Sequence, residues 1–153
     1  MDIQIVIAML LAYIAWQNYR INEAGFYINK DKLRLDLFDR RYKVFEGFRS
    51  FFTNFSLLAD IKADELSKLI WNTADAEFLF GKEVSEYRQK VIDKSVRLKQ
   101  LHGKFKRGVV DEKILAELAQ EAADLEGWIA SQNETLRNLF RKYLHFSIDA
   151  TPK

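Results

Sequence analysis

An all-α fold, with a single N-terminal transmembrane helix followed by an antiparallel bundle of about four helices, is what the sequence predicts from three observations. The leader from Ile3 to Tyr19 carries no charge, and up to Trp16 its only polar residue is Gln4. A single Pro, six Gly and an abundance of Leu, Ala, Glu, Lys and Arg favour helix throughout. Beyond residue 32, large apolar residues recur at steps of three and four.

The leader is written like a helix lying in lipid. Tyr13, Trp16 and Tyr19 gather beside the first cation, Arg20, as amphipathic rings do at a membrane interface. At about 1.5 Å per residue the run is roughly 26 Å long against roughly 30 Å of hydrocarbon, so it spans only when upright. A cleaved signal peptide fits less well, because Asp2 is acidic and aromatic rings crowd the place of cleavage. A buried helix of an ordinary core is the other alternative. All basic residues follow the leader, so the positive-inside rule puts the N-terminus outside and the remainder in the cytoplasm, at a bacterial inner membrane. The expected division is an anchor over 1–20, a linker or helix continuation over 21–31, a helical bundle over 32–146 and a tail over 147–153.

Composition narrows the classes. No Cys is present, which excludes a disulfide framework and a thiolate metal site or nucleophile. A net charge of +2 is too small to imply a nucleic-acid partner, and nucleic acid is not expected.

The first bundle helix carries Phe38, Tyr42, Phe45, Arg49 and Phe52 at helical spacing, widened by Leu37, Val44, Phe48, Phe51 and Phe55, so it must be covered on most sides. Asp36 with Arg40 and Asp39 with Lys43 stand four apart, acid first. After a break at 59–62, Asp64 and Glu65 suit the first turn of a second helix with Leu66, Leu69, Ile70 and Trp71 on its apolar side. Phe78, Leu79 and Phe80 then plug the core, and Gly81 turns the chain.

A third helix is expected from Glu83 to Leu101, followed by a basic loop bracketed by Gly103 and Gly108. Residues 82–107 hold nine Lys or Arg against Glu83, Glu86 and Asp93, and residues 111–134 hold seven acids against Lys113. The fourth helix, capped by Asp111, runs either to Leu144 or to a break at Ser131, where Ser131 and Glu134 have capping-box spacing. The two oppositely charged helices are expected to face each other. Phe45, Phe48, Trp71, Phe80 and Trp128 are the expected core.

The segment KLRLDLFDRRYKVFE, Lys32 to Glu46, resembles a widespread group of small uncharacterised bacterial proteins, as do FLFGKEVSEY, Phe78 to Tyr87, and more loosely Trp128 to Phe146. Lys82 stands where that group has Pro, and Ala63 where it has Ser or Thr, which weakens local caps. The resemblance implies an anchored helical domain and carries no activity.

For chemistry the sequence offers little. His102 and His145 lack a partner at metal-ligand spacing, and no GxSxG, P-loop or GxGxxG occurs. Glu117, Glu121 and Asp124 lack the Glu-x-x-His of a dimetal bundle. No enzyme, metal or cofactor is expected. Lys30, Lys32, Arg34, Arg40 and Arg41 are candidates for anionic lipid headgroups, at about 1 kcal/mol each. Lys99, Lys104, Lys106 and Arg107 are candidates for a phosphate-bearing ligand such as a nucleotide. The expected function is a membrane-anchored interaction or scaffold module whose partner, besides lipid, is another protein or a second copy. The alternative is a ligand-gated membrane effector, signal- or nucleotide-responsive and for example anti-phage, acting by clustering of its anchors through Ala8, Ala12 and Ala15.

Overall fold

A single glycine costs a helix only about 1 kcal/mol, and Gly25 stands among residues that favour helix, so the chain does not break there. In the computed structural model, which describes residues 3–58, 60–108 and 112–145, with side chains from residue 114 in the last stretch, helix α1 runs without interruption from Ile3 to Leu58. The remaining elements are α2 (Ala63–Asn72), the single turn α3 (Ala76–Leu79), α4 (Lys82–Arg107), α5 (Glu112–Ala130) and α6 (Gln132–Arg141). The expected cap Asp111 and the tail 147–153 lie outside the described residues.

The transmembrane expectation is overturned. Among the described residues no helix is long and apolar enough to cross a membrane. The uninterrupted apolar run of the leader, Ile5 to Trp16, covers about 18 Å, and a longer window draws in Gln4 or Gln17, Asn18, Tyr19 and Arg20. The anchor over 1–20 and the inner-membrane placement with a cytoplasmic C-terminal part, both deduced from that span, fall with it. Tyr13, Trp16, Tyr19 and Arg20, expected at a membrane interface, therefore do not flank a membrane-crossing segment.

The chain divides into two units, 1–37 and 38–153. The first consists, where described, of the N-terminal part of α1. Its large apolar side chains, Ile3 to Leu37, are exposed on every side of the helix.

The second unit is a helical bundle built around the aromatic half of α1. Val44, Phe48, Phe51, Phe52 and Phe55 are buried, and they pack with Leu66 and Leu69 of α2, Val84, Val91, Leu98 and Leu101 of α4, Ile129 of α5, and Leu136 and Phe140 of α6. Phe48 and Phe140 are fully buried, with ring centroids 5.8 Å apart; Tyr87 lies 5.6 Å from Phe48, and Phe80 4.9 Å from Phe140. Such tilted ring pairs add about 0.5–1.5 kcal/mol each beyond their burial.

Two of the expected core aromatics are outside. Trp71 is 78 % exposed and Phe78 is 83 % exposed. In α2 the buried residues are Leu66 and Leu69, and Trp71, two positions on, is rotated about 200° from Leu69. Around α3, Ala76 and Phe80 turn inward four apart and leave Phe78 between them on the far side. Trp128 is half-buried, with the ammonium groups of Lys90 and Lys94 over its ring at 5.4 and 5.0 Å.

The basic segment 102–107 is not a loop. It forms the last turns of α4, with Gly103 inside the helix. Leu98, Leu101 and Phe105 continue the apolar stripe, and Lys and Arg are good helix formers, so the cost of one Gly is met. The helix ends at Gly108, whose φ of 64° is the left-handed conformation that favours glycine. The fourth expected helix is interrupted at Ser131, but not by a capping box. Ser131 Oγ donates to the Trp128 carbonyl (2.8 Å), as does Gln132 Nε2 (2.9 Å).

Gly47 of α1 lies against the end of α2. A Cβ there would stand 2.9 Å from Asn72 Cβ and 3.3 Å from Thr73 Cγ2. Gly47→Ala gains about 1 kcal/mol of helix propensity, whereas overpacking typically costs 1–3 kcal/mol. The expected net effect is destabilisation, read as a lower denaturant midpoint; a higher midpoint would show that α2 yields without cost.

Candidate functional site

Ionisable side chains concentrate where the end of α4 meets α5 and the segment after α1. Arg97 and His102 lie on successive turns of α4, with Lys99 between them in sequence, and the acid-rich sequence of α5 supplies Glu121 and Glu126 to Arg97 and His102. Arg97 makes a two-pronged pair with Glu121, Nε to Oε1 at 2.6 Å and Nη2 to Oε2 at 2.7 Å. This is the parallel fork geometry in which guanidinium and carboxylate bind most strongly. It holds the Glu121 carboxyl below its ordinary pKa and the Arg97 guanidinium above its own.

His102 is the centre of the cluster. Its Nε2 lies 2.8 Å from Glu126 Oε1 and its Nδ1 lies 3.4 Å from Asp60 Oδ1. Asp60 also receives Lys106 Nζ at 3.1 Å, and that bond keeps its carboxyl below the usual range. The side chain of His102 is mostly buried. Both ring nitrogens can donate together only in the protonated imidazole; the neutral ring presents a lone pair to one of the two carboxylates. Sequence reading treated His102 as incidental, and nothing in the local sequence links it to Asp60, 42 positions earlier. The excess of acids opposite an excess of bases was the available signal.

This arrangement orients charge. The two carboxylates approach opposite nitrogens of one ring, so the imidazole separates them. Among the described residues no group of His, Asp and Glu is placed to hold a metal ion. Tyr87 and Ser95, which among the described residues have buried hydroxyls without a hydrogen-bond partner, belong to the core side of α4, and burial pushes the Tyr87 phenol upward.

The remaining sequence candidates are dispersed. Lys104 and Arg107 are exposed at the end of α4, Lys106 is engaged by Asp60, and Arg107 Nε donates to the Gly103 carbonyl at 3.0 Å. Lys30 and Arg34 fall on one side of the first unit's helix by helical phase and Lys32 on another, whereas Arg40 and Arg41 belong to the second unit. Arg41 is consumed within the bundle. Its Nε donates to the Leu79 carbonyl at 3.0 Å, and its guanidinium lies over the rings of Phe80 (5.8 Å) and Tyr143 (5.4 Å). In the first unit, Arg20 covers the Trp16 ring at 5.4 Å, Tyr13 lies 6.3 Å from Trp16, and Gln17 Nε2 donates to Tyr13 Oη at 2.8 Å. With Tyr19 exposed beside them, these residues form a local side-chain cluster on α1.

A further ionic clasp joins the start of α4 to the segment after α6. Glu83, at the start of α4, pairs with Lys142 and accepts from Tyr143 Oη at 2.7 Å, while the Gly81 N–H donates to the same oxygen at 3.1 Å. Lys142 keeps the Glu83 carboxyl low. Asp60, Glu83 and Glu121 thus all have depressed folded-state pKa values, and their contribution to stability is complete above the ordinary carboxylate range and lost as pH falls through the folded values. The melting temperature is expected to drop below about pH 4. In the triple variant Asp60→Asn, Glu83→Gln, Glu121→Gln the drop should be shallower, from a lower starting point. An unchanged acid slope would remove these groups from the account.

Comparison of the chain with protein-family models, curated proteins and solved structures finds no match.

Proposed function

We propose that this chain is a helical interaction module in which the bundle of 38–145 is the stable body and the N-terminal part of α1 is the docking element. The observation that carries the reading is the contrast in burial along one helix. From Val44 to Phe55 the large apolar residues of α1 are mostly covered by the chain itself, whereas Ile7, Leu10, Ile14, Ile21, Phe26 and Ile28 are at least half exposed. Contiguous apolar surface of this extent marks a binding surface. The charge cluster at His102 supports the same reading, because its groups satisfy one another and hold helices together.

Hydroxyl-radical footprinting of the full chain in native extract tests it. Tyr13, Trp16, Tyr19, Phe26 and Tyr27 are expected to react far more slowly than Trp71 and Phe78, which serve as exposed references within the same molecule. Equal rates would show that nothing docks on α1.

A further inference from the structure

A repeat of seven runs through the exposed part of α1. Ile7, Ile14, Ile21, Ile28 and Leu35 stand seven apart, four isoleucines followed by a leucine, and each is 50–67 % exposed. Three positions after the first four come Leu10, Gln17, Ala24 and Asp31. A straight helix drifts by about 20° per seven residues, so a strict seven-residue stripe follows one face only when the helix supercoils around another. We infer that this stripe is the seam of a parallel, in-register coiled coil between copies of this chain, an inference that rests on the docking role given to α1 above and names its occupant.

Pairing with a second copy in the same direction sets every layer of the isoleucine stripe against its like. β-Branched residues are favoured at these positions in parallel coiled coils. An antiparallel partner would place the stripe opposite Leu10, Gln17, Ala24 and Asp31, wasting two of the layers on polar groups. In register, Gln17 meets Gln17, and Asp31 meets Asp31 between the flanking Lys32 and Arg34. Isolated polar layers of this kind cost stability and fix register.

The flanking positions agree. In the in-register pairing Tyr13 faces Asn18 of the other copy, Arg20 faces Gly25 and Tyr27 faces Lys32, so these flanking pairs set no like charges against each other. From Ile7 to Leu35 the seam is about 42 Å long, and with a helix about 10–12 Å across it offers roughly 400–500 Å² per copy. Two copies come near the ~1,000 Å² that a specific interface clears. A second apolar stripe, Tyr19, Phe26 and Leu33, lies about 140–160° away, leaving room for further copies.

The natural absence of cysteine makes the test direct. Full-length Ile21→Cys and Ile28→Cys, each mildly oxidised, should form a covalent dimer in high yield, whereas Asn22→Cys and Asn29→Cys, turned about 100° from the seam, should remain largely single chains. Light scattering of the unmodified protein should give a multiple of the 18.0 kDa chain mass. The double variant Ile14→Asp, Ile21→Asp should return it to one chain with the melting of the bundle retained. A single-chain mass, equal cross-linking at seam and control positions, or cross-linking at only one of residues 21 and 28 would each overturn the parallel seam. If the unmodified chain is single while footprinting still shows α1 shielded in extract, a different protein covers it: the docking role stands and self-association fails.

Discussion

Phe48→Asp is expected to leave the second unit without a cooperative thermal transition. The side chain is fully enclosed by Phe52, Tyr87 and Phe140 around the middle of the bundle, with ring separations of 5.6–6.4 Å. Truncating a buried Phe to Ala costs about 3–5 kcal/mol, and a carboxylate at the same place adds the cost of an unpaired charge in apolar surroundings. A domain of this size has about 5–15 kcal/mol in total. Phe48→Ala is the milder variant: it should fold, with its denaturant midpoint lowered by an amount corresponding to about 3–5 kcal/mol. An aspartate variant that melts like the parent would refute the placement of α1 at the centre.

The second large effect is expected where α4 holds the end of α2. Thr73 follows the last residue of α2 and is fully buried; its Oγ1 donates to the Leu69 carbonyl at 2.6 Å and accepts from Arg88 Nε at 3.0 Å. Arg88 Nη2 also donates to the Ile70 carbonyl at 3.1 Å. A cation thus sits at the negative end of the helix and satisfies a carbonyl that has no helical partner. Hydrogen bonds to charged groups contribute about 1.5–3 kcal/mol, so Arg88→Met, which keeps the aliphatic stem, should cost about 2–3 kcal/mol. Thr73→Val removes the hydroxyl at nearly constant shape and leaves Arg88 Nε without that acceptor. A double-mutant cycle should therefore show coupling of about 0.5–3 kcal/mol. Strict additivity of the two losses would mean that the Arg88–Thr73 contact contributes nothing.

Both residues show where sequence reading stops. Arg88 looked like one more cation on a basic helix, because nothing local distinguishes a guanidinium that caps a neighbouring helix from one in water. The same blindness applied to Trp71 and Phe78, assigned inward by their size alone. Their helical phase relative to Leu69 and Ala76 carried the opposite answer, but phase becomes decisive only when the neighbouring elements are known. For α4, counting Gly103 and Gly108 as a pair suggested a loop. Only Gly108 needs a conformation that side chains resist, and Gly103 is tolerated because Leu101 and Phe105 bury the helix on either side of it.

What the sequence by itself determined was the all-helical class, the density of aromatic residues from Phe38 to Phe55 that makes this stretch central, and the meeting of a basic helix with an acidic one. Each is a matter of composition or spacing within a single element, which is why it can be read along the chain. Only the tertiary structure decided that α1 runs unbroken from Ile3 to Leu58, that His102 lies between Asp60 and Glu126, and that Arg41 and Arg88 serve the bundle's interior. These depend on residues far apart in the chain, or on where a helix continues past its apolar run, and burial and charge pairing there are settled by neighbours that no local pattern contains.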